Sequence, residues 1–409
     1  MNNAYNTNDP QKLLELKRLE ADALLDVLRT INQAELNVRQ LCLIARNVLS
    51  AQLGVRKMVF YYGSNISWTE GMRLGFRPFS EAAFAEVLEM TQITRVNETE
   101  HPALRLSGAE YVVPVINQKE AVAYFIIAQF ADTEIETQGD LIFIETLGNI
   151  LAVAIRNRQL FQEKMEQEFI RKELEVAEII QKQMLISDFS RFDSVDIYGL
   201  NVAHNRVGGD FYDVIKKDRD VLFACIADVS GKGIGAALLM SNLQANLRAL
   251  CAQYNDLSSI IRELNQILYE MGLGEKFVTL FLARIDTRTR QLAYINAGHY
   301  PPLLLTATGS TWLSTGCLPL GIMGQISNLR EASVTYQTGD LLFMFTDGVV
   351  EQPNAIDVMF GNENVEIAIE PVRQKTSREI VHHIRQALAD FSAATPHTDD
   401  ITMLSVKFY

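Results

Sequence analysis

Residues 221–240, VLFACIADVSGKGIGAALLM, constrain the fold more than any other stretch of this 409-residue chain. The first half is apolar and β-branched and ends in Asp228, the pattern of a buried strand with an acid at its carboxyl end. SGKGIG follows, where glycine lets the backbone turn tightly or approach a ligand closely. AALLM then starts a helix of strong helix formers. A lone carboxylate at the end of a buried strand is costly to desolvate unless it is paired or coordinates a metal. Such acids recur. GGDFYD ends a segment at Asp210 and Asp213, LLFMFTDG places Asp347 after an apolar strand, and TDDITMLSV places Asp399 and Asp400 ahead of one.

Rival readings of the glycine loop are weaker. A P-loop requires Ser or Thr after Gly-Lys and a glycine five positions before the Gly-Lys glycine; Gly233 and Ile226 occupy those places. Gly231, Gly233 and Ala236 do fit the G-x-G-x-x-A of a dinucleotide-binding oxidoreductase. That unit needs a second strand ending in an acid within about thirty residues, whereas 236–271 reads as helical almost throughout. The plainest alternative treats each acid as a turn residue, since Asp-Gly is a common turn pair. It serves for Asp347 alone and fails for four acids that each adjoin an apolar strand.

Net charge is −13, which argues against nucleic acid as a partner, because phosphate binding needs clustered Lys and Arg. No apolar run has the length of a membrane span; the longest candidate, AVAYFIIAQF, is too short. The start, MNNAYNTNDPQK, is polar and lacks a signal-peptide core. Cys42, Cys225, Cys251 and Cys317 are scattered and suit a reducing compartment, so a cytoplasmic protein is expected.

Taken in order, the chain divides into a tail and helix over 1–33, a first domain over 34–158, a linker helix over 159–188 and a second domain over 189–409. In the first domain a helix, LNVRQLCLIARNVLSAQLG, leads into the strand VRKMVFYYG. Residues 63–108 read as irregular, and AEYVVPVINQKEAVAYFIIAQF as a β-hairpin about Asn117, Gln118 and Lys119. A long helix, DLIFIETLGNILAVAIRNRQLF, closes the domain. This order resembles a GAF domain, which implies a sensor that binds an unknown small molecule or dimerises. The N-K-x-D-E signature of cyclic-nucleotide-binding members is absent. Trp68, Phe76, Phe79 and His101 either line a pocket or form the local core of a long loop.

From Arg156 to Phe189 there is neither proline nor glycine, so one long helix is expected, in part a coiled coil. Phe161, Met165, Phe169, Val176 and Ile179 form one apolar stripe; Ile170, Leu174, Ala177 and Met184 form a second. The front half is expected to pair in a homodimer and the back half to dock. Glu178 and Lys182 stand in the favourable i,i+4 order.

The second domain mixes eight strand candidates with helices at 233–253, 257–272 and 377–391, an α+β layering of antiparallel sheets flanked by helices. Hard cations, Mn²⁺ or Mg²⁺, suit carboxylates and backbone carbonyls. Asp210, Asp228, Asp347 and Asp399 are enough to hold two such ions about 3.5–4 Å apart, a pair that clamps an in-line phosphoryl displacement without a protein nucleophile.

VGGDFYDV, ADVSGKGIGAALLM, FVTLF, NAGHYPPLLL, PLGI, FTDGVVE and DDITMLSV occur here in the order found in bacterial PP2C-like phosphatases of the SpoIIE/RsbU type, and residues 175–409 resemble that family. The resemblance implies a β-sandwich flanked by helices, a dinuclear Mn²⁺ or Mg²⁺ centre and hydrolysis of phosphoserine or phosphothreonine. By motif, Asp210, Asp228, Asp347 and Asp399 are the metal ligands and catalytic acids, with the backbone carbonyl of Val229. Asp400 orients its neighbour or, with the register moved by one, is itself the ligand. The implied substrate is a phosphorylated STAS-domain antagonist of an anti-sigma factor, with the GAF domain as input. A catalytically weak scaffold that binds STAS proteins through the same surface is the alternative.

Two departures from the family are visible. The stretch after Asp228 reads Val229-Ser230-Gly231-Lys232, without the histidine proposed as general acid in eukaryotic PP2C enzymes; His299 of NAGHYPP is expected to serve a turn. The family's regulatory helix ends A-x-x-I-Q-x-x-L-L-P. Ala177, Ile180, Gln181, Met184 and Leu185 fit, but Ile186 replaces the proline, so the exit of the helix is expected to be less sharply fixed. Ala177, Gln181 and Met184 are the candidate regulatory contacts, with Gln181 either in contact with the phosphatase core or solvated.

Overall fold

The computed structural model describes residues 14, 18, 21, 22, 24–29, 36–63, 67–118, 120–130, 138–190, 192–271, 276–393 and 395–409. These fall into two compact units, divided between Phe169 and Ile170.

The first unit opens on helix α1 (Val38–Gln52), with Asn37 and Gln40 closing a reciprocal capping box. Strands β1 (Val55–Gly63), β2 (Trp68–Leu74), β3 (Thr94–Arg95), β4 (Tyr111–Asn117) and β5 (Glu120–Phe130) form one antiparallel sheet in the order β2-β1-β5-β4-β3. Helices α2 (Glu81–Leu88) and α3 (Pro102–Leu106) lie between β2 and β4 in sequence, and α4 (Gln138–Met184) follows β5. Alternate side chains serve opposite faces of the sheet. Val113, Val115 and Phe125 pack with Leu41, Leu49, Phe143 and Leu147, whereas Val112, Tyr124 and Ile126 pack with Val87, Val96 and Leu104.

Residues 63–108 are thus not irregular. Strand β2, WTEGMRL, pairs with β1 through Tyr62↔Thr69 and Val59↔Arg73, and its polar residues hid it in the sequence. A Cβ on Gly71 would stand 2.8 Å from Cys42 Sγ, so glycine lets α1 approach the sheet. Trp68 packs against Tyr124 and Phe84, and Phe76 against Phe79, as a local core. His101 stands apart, 3.9 Å from Glu89. The hairpin turn joins Asn117 to Glu120, with Gln118 at φ 47°; Lys119 lies outside the described residues.

Helix α4 is a single helix, so the expected linker over 159–188 is the later part of an element that begins at Gln138 and ends at Met184. Phe161, Met165, Phe169, Val176 and Ile179 are all exposed along it.

The second unit contains β6 (Val195–Val202), β7 (Phe211–Lys216), β8 (Val221–Val229), α5 (Ile234–Gln253), α6 (Leu257–Glu270), β9 (Val278–Asp286), β10 (Gln291–Ala297), β11 (Leu303–Thr306), β12 (Gly309–Trp312), β13 (Gly316–Cys317), β14 (Ala332–Thr335), β15 (Leu341–Phe345), α7 (Asp347–Val350), α8 (Gly361–Ile369), α9 (Ser377–Ser392) and β16 (Ile401–Phe408). One sheet runs β13-β10-β9-β8-β7 with β14 on β10, the other β12-β11-β15-β16-β6. The two face each other across Leu222, Ala224, Ile226 and Phe281 on one side and Leu342, Met344, Leu404 and Val406 on the other. Helices α5 and α6 cover the outer face of the first sheet, and α8 and α9 that of the second. Strand β8 is therefore buried on both faces, which accounts for its unbroken apolar run. It pairs antiparallel with both β7 and β9, so no dinucleotide-type βαβ unit exists there. GGDFYD does not end a segment, because FYDVIK is itself a strand: Asp210 lies immediately before β7 and Asp213 within it. Among the described residues no helix is long and apolar enough to cross a membrane.

Candidate metal centre

Both sheets deliver acids to one end of the sandwich. In the first sheet the register Phe211↔Ala227 sets Asp210, just before β7, beside Asp228, near the end of β8. In the second, Phe345↔Met403 sets Asp347, which opens α7, near Asp399 and Asp400, which precede β16. Thr346 and Thr402 lock that corner: Thr346 donates its N–H to the Thr402 carbonyl at 3.0 Å, and the Thr402 N–H returns to Thr346 Oγ1 at 3.1 Å. Asn201 on β6 donates to the Asp210 carbonyl at 3.2 Å and to Thr402 Oγ1 at 2.8 Å, tying the two sheets together at the acids.

The electrostatics are those of crowded like charges. Burial, then Asp228, then Asp400 push the Asp210 carboxyl well above its ordinary range. Burial and the charge of Asp347 raise Asp228 to about 6. Burial, then Glu351, then Asp399 raise Asp347, with Lys232 pulling the other way. Asp210 is 3% exposed, and its Oδ2 makes no hydrogen bond. Unpaired negative charge this deep calls for a cation, and hard oxygen donors suit Mn²⁺ or Mg²⁺. Among the described residues no three of these acids already surround one point in ligating geometry. They are neighbours rather than a closed cage.

The GGD turn shows why its glycines are needed. A Cβ on Gly208 would collide with the Asp400 carboxylate, and one on Gly209 would stand 2.7 Å from the Val229 carbonyl oxygen. That carbonyl thus faces the turn carrying Asp210. Asp400 accepts the N–H of His204 at 2.7 Å and of Gly209 at 3.0 Å, one on each oxygen. Asp399 accepts the Asp400 N–H at 2.9 Å on one oxygen and pairs with Lys232 at 3.0 Å on the other.

Gln181 is not solvated. Its Nε2 donates to the Gly208 carbonyl at 2.7 Å and its Oε1 accepts the Gly208 N–H at 3.1 Å. Ala177 and Met184 are half-buried on the same helix, and the Met184 carbonyl accepts from Gln244 at 3.0 Å. The exit of the helix is held without a proline, because Ile186 is buried and its carbonyl accepts the Tyr212 hydroxyl at 3.0 Å. His299 is buried, its pKa lowered to about 4 by desolvation, and its Nδ1 lies 2.8 Å from Thr279 Oγ1. Its backbone N–H donates to Asn296 Oδ1 at 2.7 Å, while the ring's buried Nε2 has no hydrogen-bond partner among the described residues. Asp213, the other acid of GGDFYD, is not among the converging group: it is fully buried in a bidentate pair with Arg248, at 2.6 and 3.1 Å. Neither the Arg248 partner nor the Lys232–Asp399 pair had a signal in the sequence, since both join segments far apart in the chain.

Residues 218–409 match the family profile of Stage II sporulation protein E (SpoIIE). The chain is 27% identical over 243 residues to the phosphoserine phosphatase RsbU of Bacillus subtilis, covering 59% of this chain and 71% of RsbU. It is 28% identical over 270 residues to protein IcfG of Synechocystis, covering 58% and 41% of the two chains. It is 27% identical over 194 residues to the phosphoserine phosphatase RsbP of B. subtilis, covering 46% and 48%. The chain thus spans less than half the length of the last two. Among solved structures, the SiaA-PP2C domain of Pseudomonas aeruginosa superposes with a TM-score of 0.53 at 22% identity, over 60% of this chain and 99% of that domain, and shares the fold.

Proposed function

From the premise that the C-terminal unit is a SpoIIE-type PP2C protein-serine phosphatase domain, homologous to RsbU and RsbP, we propose that this chain removes phosphate from phosphoserine or phosphothreonine of a protein substrate. The observation that carries the reading is the set of buried, mutually repelling acids with Asp210 Oδ2 left unpaired. PP2C-family phosphatases are metal-dependent, and two Mn²⁺ or Mg²⁺ ions held by Asp210, Asp228, Asp347, Asp399 and the Val229 carbonyl would meet that demand. When bound, such a pair supplies Lewis acidity and nucleophile activation for in-line phosphoryl displacement. The chain's own contribution is position. Asp400 engages both of its oxygens on the backbone N–H groups of His204 and Gly209, which fixes the GGD turn and supports an orienting role for Asp400 beside Asp399. Asn201 and the Thr346–Thr402 exchange hold the two sheets in phase, so the acids stay gathered at one end of the sandwich. His299, neutral and turned to Thr279, is given no acid role.

The preferred substrate is a phosphorylated STAS-domain antagonist of an anti-sigma factor, a choice supported by the likeness to RsbU and RsbP. The first unit acts as a GAF-type sensor for an unidentified small molecule. The exposed Phe161, Met165 and Phe169 pair α4 with a second copy in a homodimer. Control passes along α4 to Gln181, whose paired hydrogen bonds hold Gly208 beside the site. A ligand acts by favouring one packing of that helix.

The test is hydrolysis of a phosphoserine STAS protein by the full chain with Mn²⁺ or Mg²⁺, against the same reaction in EDTA. Cation-dependent turnover is expected. Substrate binding without turnover at any concentration of either ion would favour the scaffold alternative. Inserting two alanines after Glu168 rotates what precedes by about 200° and is expected to change basal or stimulated rate; an unchanged rate in both states removes helix-borne control.

A further inference from the structure

We propose that Lys232 is a tethered cation that shares Asp399 with bound metal and turns to the phosphoryl group of the substrate, making it a phosphate-positioning residue; this rests on the phosphatase reading above. Its ammonium lies 3.0 Å from Asp399 Oδ2 and donates to the Thr398 carbonyl at 2.8 Å. It thus sits against an acid needed for metal, and its charge is also felt at Asp347. The Lys232 side chain is 51% exposed. A substrate at the acids therefore meets it from solvent.

The loop is built for such a residue to move. Gly231 and Gly233 flank Lys232 at φ +96° and +79°, where other residues rarely sit. A Cβ on Gly233 would meet nothing within 4 Å, and one on Gly231 would meet only the Lys276 Cε, at 3.9 Å. The turn is tied at its start, where Ser230 exchanges hydrogen bonds with Phe277 at 2.9 and 2.8 Å, but among the described residues little crowds the two glycines beside Lys232, and the lysine stem is flexible. Once a divalent cation draws the Asp399 charge to itself, the hold on the ammonium weakens. A compact cation with three donors then faces the one kind of group that brings more negative charge to this place, a phosphoryl dianion.

Two consequences of opposite sign follow. Removing the ammonium takes away a competitor for Asp399, so divalent cations bind more tightly. It also removes a phosphate contact, so phosphate binds more weakly. General damage to the site would weaken both. The experiment compares full-length wild type, Lys232→Met and Lys232→Arg by titration calorimetry, first with MnCl₂, then with inorganic phosphate on the Mn²⁺-saturated protein. Steady-state kinetics on a phosphoserine peptide provide a further readout. Lys232→Met is expected to bind Mn²⁺ about threefold more tightly, the worth of a half-exposed ion pair. It should bind phosphate about tenfold more weakly, the worth of a charged hydrogen bond, with the loss mainly in KM. Lys232→Arg should recover part of the phosphate affinity. If Lys232→Met binds Mn²⁺ no more tightly than wild type, or phosphate equally well, the proposal is overturned. A wild-type chain that neither binds Mn²⁺ nor hydrolyses the peptide would instead remove the phosphatase reading itself.

Discussion

Asp210 and Asp213 lie three residues apart on one segment, both buried, and their surroundings differ completely. Asp213 points towards α5 and receives both arms of the Arg248 guanidinium, with Gln244 adding a third donor to the same carboxylate. Asp210 points towards other acids, and its Oδ2 receives nothing. Burial alone is the same in the two places, so burial does not identify a functional acid. The distinguishing mark is whether the protein supplies the opposite charge. For Asp213 it does, and the acid is part of the architecture; for Asp210 it does not, and a cation from outside is called for.

The contrast can be broken most sharply at the acid end. Asp228→Asn keeps the size and removes a charge from the group, and turnover is expected to fall on the order of 1000-fold, about 4 kcal/mol of transition-state stabilisation, with an unchanged circular dichroism spectrum. Near wild-type turnover at limiting Mn²⁺ would mean the unpaired acids do not hold the ion. At the other acid, Arg248→Met leaves the Asp213 charge buried without its partner. A loss of about 3 kcal/mol in urea unfolding is expected, while the Mn²⁺ dependence of the folded fraction persists. A variant equally stable but unresponsive to Mn²⁺ would erase the distinction between the two acids.

A third expectation concerns pH. The Asp228 carboxyl ordinarily titrates at 3.8 and does so at about 6 in the folded protein. The folded state therefore holds that proton more tightly than the unfolded state. The stability this gives is complete below pH 3.8 and is lost as pH rises through about 6. In EDTA the wild type should be less stable at pH 7.5 than at pH 4.5 by about 2 kcal/mol relative to Asp228→Asn. Saturating Mn²⁺ should cancel the trend, because it supplies the missing opposite charge. A flat profile in EDTA would show the acids to be less crowded than they look. The smallest effect is expected at the helix contact. Gln181→Ala removes two hydrogen bonds to Gly208, a loss of about 1 kcal/mol, and should weaken Mn²⁺ binding about fivefold through the GGD turn. Unchanged affinity would detach the helix from the site.

Much of this was legible in the sequence, for reasons that differ by element. Strand β8 declared itself because both of its faces are buried and its apolar run has no gaps. The acids declared themselves because a charge next to such a run is conspicuous. Strand β2 was invisible because only some of its residues are covered, and Thr69, Glu70 and Arg73 look like loop residues until β1 is alongside. Strand β7 was concealed by Asp213, a charge that makes sense inside a strand only once Arg248, far along the chain, is seen to meet it. In the same way the partners of Asp399 and Asp400, Lys232 and the backbone of His204 and Gly209, are set by tertiary contact and leave no local pattern.

The second sheet has its own lesson in the order β12-β11-β15-β16-β6. Strand β6 is the first of the sandwich to be synthesised, and its neighbour in the sheet, β16, is the last. A growing chain therefore carries β6 as an open edge through the making of every other strand of the sandwich, a contact of the long-range kind that slows folding and invites wrong pairing. Asp399 and Asp400 travel with β16, so the strand that closes the sheet also completes the acid group. A nascent or prematurely ended chain holds Asp210, Asp228 and Asp347 without Asp399 and Asp400, so the acid group is gathered only when the last strand is in place.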